Sequence, residues 1–197
     1  MKSLISLAAA GLLIISMSGC GSNQPKPEQK QVLQEEFDNR CKIGGELAPK
    51  WVCTPFADDV IAELGSAQKT KAGYSFQRRK ALADGRANLT QQIETLVKDK
   101  VENFARTTGG VNNETADMVS TQVSKQVAKA TLRGSKQVDS WVSENGTMYV
   151  LVAVSKKAVN ERAKESVKTS YKNDNALWQQ FQSKQTLESL DKEFPTE

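Results

Sequence analysis

The chain has 197 residues, 27 Lys+Arg against 23 Asp+Glu, a net charge of +4 and no histidine. A positive balance this mild excludes a nucleic-acid-binding protein built on a concentrated basic face. The missing imidazole removes the commonest general base, the commonest metal ligand and every triad that depends on it. No GxSxG string and no EF-hand-like acidic loop occurs, so no catalytic residue, cofactor or metal site is assigned, and the chain is expected not to be an enzyme.

Residues 1–19 have the architecture of a cleaved signal: Lys2, an apolar run from Leu4 to Met17, then small residues. Met17-Ser18-Gly19-Cys20 resembles the bacterial lipoprotein signal, with Met17 where that pattern usually has Leu. The resemblance implies cleavage before Cys20, a diacylglycerol on its sulfur and an acyl group on its amine. The plainer alternative is an ordinary secretory signal with a chance cysteine. One acyl chain holds a protein marginally, whereas two or more hold it stably, so the expected partner of Cys20 is a membrane. Gly21, not Asp, follows Cys20, which sets the expected address as the outer membrane, lipid-anchored, on its periplasmic face.

Residues 20–40 read as the lipidated cysteine and a flexible tether, polar and carrying Pro25 and Pro27. Within it Gln31–Asn39 has Val32, Leu33 and Phe37 at the spacing of a short helix. Cys41 and Cys53 form an even pair in an oxidising compartment and are expected to make a structural disulfide. Such a loop contributes about 3 kcal/mol by chain entropy. Their separation is not the CxxC spacing of a redox pair, and two soft ligands without histidine do not make a metal site.

A first strand is expected over Ile61–Gln68, ending in the small residues Gly65, Ser66 and Ala67. From Ser75 to Thr107 apolar residues (Leu82, Leu89, Ile93, Leu96 or Val97, Val101, Phe104) recur at helical spacing, and Gly109-Gly110 ends the segment. Gly85 inside that helix costs about 1 kcal/mol relative to alanine, which implies close approach of a neighbouring backbone. A second helix starts at Asn112 or Asn113 and buries Val119, Val123, Val127 and Ala130. Asn145-Gly146 marks a hairpin between Lys136–Glu144 and Thr147–Ser155. A two-residue turn there pairs Val142 with Tyr149 and Val138 with Ala153. The second strand is apolar on both faces, so it is expected at the centre, under helices on one side and the Trp51 region on the other. A third helix from Lys156 buries Val159, Ala163 and Val167, and a last one spans Ala176 to Glu193.

The expected fold is α+β: a two-layer domain with a small three-stranded antiparallel or mixed sheet against long helices, in the order β-α-α-β-β-α-α. The folded domain is placed at 41–172, with a C-terminal helical extension at 173–197. Trp178, Phe181 and Phe194 give that extension an apolar stripe, which either packs back on the sheet or contacts a partner.

Pro49-Lys50-Trp51-Val52, Gly65-Ser66-Ala67, the string from Ala81 to Leu89 and Tyr149-Val150-Leu151-Val152 occur in this order in the Lpp-twenty family of small outer-membrane lipoproteins, some with flagellar relatives. The chain resembles that family from Pro49 to Lys168. The resemblance implies an α/β envelope module without enzymatic or cofactor residues, and it carries over Cys20 alone as a site. Cys41, Cys53 and the C-terminal helix fall outside the shared pattern.

Several surface residues have two readings. Arg86 reads first as a snorkelling arginine and second as a contact to a partner or a buried acid. Trp51 and Trp141 read first as the edge of a small core and second as interaction anchors. Lys157, Arg162, Lys164 and Lys168 alternate with Glu161 and Glu165, the pattern of an ordinary exposed face before that of a lipid- or wall-binding one. The leading functional expectation is a structural or scaffolding lipoprotein that self-assembles or joins an envelope complex, such as a flagellar outer-membrane assembly. The second is a lipoprotein that binds peptidoglycan or regulates its synthases.

Overall fold

The computed structural model describes residues 40–108, 113–173 and 181–196, all within one compact unit. Cys20, the tether, the 31–39 segment, Gly109-Gly110, Asn112 and Trp178 lie outside the described residues. The chain opens with a ribbon of β1 (Lys42–Ile43) and β2 (Glu46–Leu47), then a single turn of helix, α1 (Lys50–Cys53). Strand β3 (Val60–Ala67) leads into the long helix α2 (Tyr74–Thr108), followed by α3 (Asn113–Thr131) and a 3-10 turn at Leu132–Gly134. Strands β4 (Lys136–Val142) and β5 (Met148–Ser155) form a hairpin, and α4 (Lys156–Lys172) and α5 (Lys184–Glu193) complete the chain.

The fold is α+β, as expected, and its main sheet is wholly antiparallel in the order β3-β5-β4. Side chains alternate across a strand, so the register sorts them into two faces. Met148, Val150, Val152 and Val154 of the central strand point toward the helices and join Leu89, Ile93, Val97, Val101 and Phe104 of α2 in the main core. Val119, Val123 and Val127 of α3 and Val159, Ala163 and Val167 of α4 close that core. Ala130 is exposed, contrary to expectation, and Ala128 takes the buried position. On the opposite face Ala62, Leu151 and Ala153 form a smaller cluster under Trp51 and Val60. The central strand is therefore dry on both sides, which explains its unbroken apolar run.

The β3–α2 crossing is set by two glycines. A Cβ on Gly65 would lie 2.6 Å from the Gly85 Cα, and one on Gly85 would lie 2.8 Å from Val152 Cγ2. Neither position has room for a side chain, so the propensity cost of Gly85 is offset by direct backbone packing of helix on strand.

The hairpin differs from its expected register. The connection is three residues long: Gly146 N–H donates to the Ser143 carbonyl at 2.8 Å, and Ser143 N–H to the Thr147 carbonyl at 2.9 Å. Gly146 sits at φ +82°, the left-handed position that closes a three-residue hairpin loop. Pairing slips by one residue, so Val142 meets Met148 and Trp141 meets Tyr149. A bulge between Gln137 and Asp139 leaves Val138 unpaired, and Lys136 takes its expected place opposite Ala153.

The last segment is also interrupted. Instead of one helix to Glu193, a turn at Gln182 and Ser183 precedes α5, and the Ser183 hydroxyl caps the new helix by accepting from Thr186 N–H at 3.2 Å.

Candidate functional surface

The residues named from sequence occupy separate places in the fold. The Cys41 and Cys53 sulfurs are bonded, with Cα atoms 5.8 Å apart. Their bond ties the β1–β2 ribbon to α1, which buries Val52 and lays Trp51 half-buried over the outer sheet face. Glu46 extends this cover to the hairpin tip by accepting from Glu144 N–H at 2.8 Å. Phe181 and Phe194 are buried inside the domain, not presented to a partner. Phe181 packs edge-on against Phe104 at 6.2 Å and tilted against Tyr171 at 5.4 Å, and Lys100 lies 5.2 Å over the Phe194 ring. Burial in this aromatic cluster pushes the Tyr171 phenol up to about 12.

Arg86 donates to the Ser135 hydroxyl at 3.2 Å, so it contacts neither a buried acid nor open solvent alone. On the basic face of α4, Arg162 pairs with Glu165 at 2.9 Å and Lys164 with Asp191 of α5 at 2.8 Å. Two of its four cations thus serve the fold. The Lys164 contact also holds the exposed Asp191 carboxyl below its usual range.

The string from Ala81 to Leu89 has a role that its sequence did not disclose. Asp84 accepts from Ser66 N–H at 2.8 Å, and Asn88 donates to the Leu64 carbonyl at 2.8 Å. Leu64 and Ser66 are two residues apart on an edge strand, so their backbone groups point the same way, away from β5. Two side chains one helical turn apart therefore stitch α2 to the open edge of β3. The other edge, β4, carries exposed Val138 and Val142, and α2 reaches it through a side-chain contact, Arg78 donating to Gln137 Oε1 at 2.8 Å.

At one end of the sheet the chain forms a cleft of about 640 Å³ between the segment leaving β3, the hairpin loop and α2. Gln77, 5% exposed, ties the ends of two of its walls by donating to the carbonyls of Ala67 at 2.9 Å and Gly146 at 2.7 Å. Lys69, Lys80 and Tyr149 line it, and Trp141 stacks on Tyr149 with centroids 5.4 Å apart and planes 30° apart. Of this group, sequence reading offered Trp141 as an interaction anchor and Tyr149 only as part of a strand. The other residues come from three elements joined only by tertiary contacts, and no spacing in the chain announces them.

Two Ser-x-x-Lys spacings occur, Ser66–Lys69 and Ser189–Lys192. The first straddles the end of β3 and the second sits on α5, and no hydrogen bond joins either pair, so neither is an assembled nucleophile and base. Among the described residues no group of three or more Cys, Asp or Glu side chains is placed to hold a metal ion, and no helix is long and apolar enough to cross a membrane.

A family model described as LPP20 lipoprotein matches residues 49–155, which run from the start of α1 through the end of β5. The chain belongs to the LPP20 lipoprotein family. No curated protein matches it. The matched span contains the α2 string, both glycines of the helix–strand crossing and the whole three-stranded sheet. Cys41, α4 and α5 lie outside the match. Membership makes the chain a lipoprotein of the envelope, in a family not known for enzymes.

Proposed function

We propose that this chain is a non-catalytic scaffolding lipoprotein, anchored by acyl groups on Cys20 to the periplasmic face of the outer membrane and assembled there with itself or with other envelope proteins. The observation that carries the reading is the LPP20 match over a chain whose Cys20 closes a lipoprotein-type signal. The fold supports it. Asp84, Asn88, Gln77, Arg86 and Lys164 are spent on backbone or side-chain contacts that hold elements together. A flagellar outer-membrane assembly is one setting of this kind.

Membrane residence is tested by Cys20→Ser and cell fractionation. The variant should fold, lose its acyl chains and move to the soluble fraction; retention on the membrane would place the anchor elsewhere. Assembly is tested by cross-linking in cells from Val138, Val142 and Met118, which are exposed. Discrete higher-mass adducts are expected, and recovery of monomer alone would overturn the scaffolding role while leaving the anchor intact.

A further inference from the structure

We propose that the cleft at the Ala67–Thr147 end of the sheet binds an acidic saccharide, with its negative group between Lys69 and Lys80 and its ring against Tyr149. Three observations carry the assignment: the cleft is rigid, its two ammonium groups are unspent, and its aromatic wall is fixed.

Rigidity comes from Gln77, whose two hydrogen bonds tie the loop leaving β3 to the hairpin loop. Lys69 adds to it. Its aliphatic stem lies over Gly146, so closely that a Cβ there would come within 2.9 Å of Lys69 Cδ. The stem is thereby placed while the ammonium stays in solvent, an arrangement suited to a long basic side chain. Lys80 reaches the same space from α2. Asp84 also lines the cleft, but its carboxylate is engaged by Ser66 N–H, and among the described residues neither ammonium is held in an ion pair. Two cations against one hydrogen-bonded carboxylate leave a single net positive charge, which matches one carboxylate or phosphate on a ligand.

The remaining lining points to a sugar over a bare anion. Tyr149 is locked by its stack on Trp141, which offers a flat apolar surface at low entropic cost. Gln68, Thr70 and Thr147 supply amide and hydroxyl groups able both to donate and to accept, the requirement of a polyhydroxylated ring. The volume lies in the range of small-molecule sites. In the envelope such a ligand has two sources, the muramic acid of wall strands stripped of their peptides, whose lactyl carboxylate is free, and the acidic sugars of surface polysaccharide. The inference gives a location to the wall-binding expectation and does not depend on the anchor at Cys20.

The full mature chain in neutral detergent is titrated calorimetrically with N-acetylmuramic acid, a glucuronic-acid disaccharide, the neutral N-acetylglucosamine disaccharide and sodium acetate. At least one acidic saccharide should bind about tenfold more tightly than the neutral sugar or acetate, and Lys69→Gln with Lys80→Gln should remove about that factor. Both lysines are exposed, so the double variant is expected to keep its fold, which circular dichroism verifies. Preference for the muramic or the uronic acid identifies the source, and either supports the site. Equal affinity for neutral and acidic sugars, an unchanged double variant, or acetate binding as tightly as the sugars would overturn it. Fractionation of Cys20→Ser is read separately, so the anchor and the cleft can fail independently.

Discussion

Both faces of β5 are dry, but they are closed in different ways. The helix face meets a 35-residue helix whose own periodic apolar stripe runs from Ala81 to Phe104, reinforced by α3 and α4. The outer face is closed by a short ribbon, one helical turn and Trp51, a cover with little regular structure and a covalent tie at Cys41–Cys53. The contrast separates two tasks. Burial on the helix side sustains the fold, and where the two sides meet at the end of the sheet a cleft walled by α2 and Tyr149 holds Lys69 and Lys80, whose ammonium groups the fold does not consume among the described residues.

If the helix side sustains the fold, the largest effect should come from its tightest contact. Gly65→Val forces a branched side chain into the Gly85 backbone and is expected to cost about 4 kcal/mol or more, read by chemical denaturation. Gly134→Ala is the matched control. Its Cβ would meet nothing within 4 Å, so a change beyond about 0.5 kcal/mol would undermine the steric account. Loss of the outer cover should be smaller and local. Cys41→Ser with Cys53→Ser is expected to cost about 3 kcal/mol and to raise amide exchange in β1, β2 and α1 while α2 and β5 stay protected. Uniform deprotection would mean that the two faces form one cooperative unit.

Much of this division was legible in the sequence. The apolar spacing in α2, α3 and α4 survives into the structure because each helix buries one stripe against a continuous core, which is what periodicity reports. The two-faced apolar run of β5 announced a central strand, and Gly85 announced a close backbone. Register and cover were less legible. Asn145-Gly146 located the turn, but Gly146 closes a longer loop, which shifts the pairs nearest the turn by one, and the bulge at Val138 shifts the rest by two. The β1–β2 ribbon has two residues per strand, too short for any alternation to register. Phe181 and Phe194 have the same apolar signature whether they pack inward or on a partner, so only the fold separates the two. The cleft was invisible because Gln77 makes it by joining loops far apart in the chain.

A milder perturbation of the helix side uses pH. Buried Tyr171 holds its proton to about 12, against an ordinary value of 10.0. The unfolded chain therefore binds fewer protons than the folded one between those values, and stability falls as pH rises through that window. The loss should be about 1 kcal/mol by pH 11 and about 2–3 kcal/mol once both forms are ionised. It is measured as the difference between wild type and Tyr171→Phe, which lacks the proton and should show no such component. Equal alkaline slopes in the two proteins would show that the phenol is not sealed in the Phe104 cluster.

The smallest effect concerns the edge where the two faces meet. Asp84 and Asn88 reach from the helix layer to the rim of β3, and they satisfy backbone groups that an edge strand otherwise offers to any passing strand. Ser66 is exposed, so in Asp84→Ala its N–H can turn to water, and the cost should be only about 1 kcal/mol. Asp84→Asn keeps an acceptor in place and should recover most of that loss, which a role for the carboxylate's charge would not allow. Removing both stitches, Asp84→Ala with Asn88→Ala, should expose the β3 edge and produce concentration-dependent association by light scattering. Val138→Lys on the opposite edge, β4, should move stability by no more than about 0.5 kcal/mol. If the β4 substitution proved the more damaging of the two, the helix face would not be guarding β3 at all, and α2 would need another reason to carry Asp84 and Asn88 one turn apart.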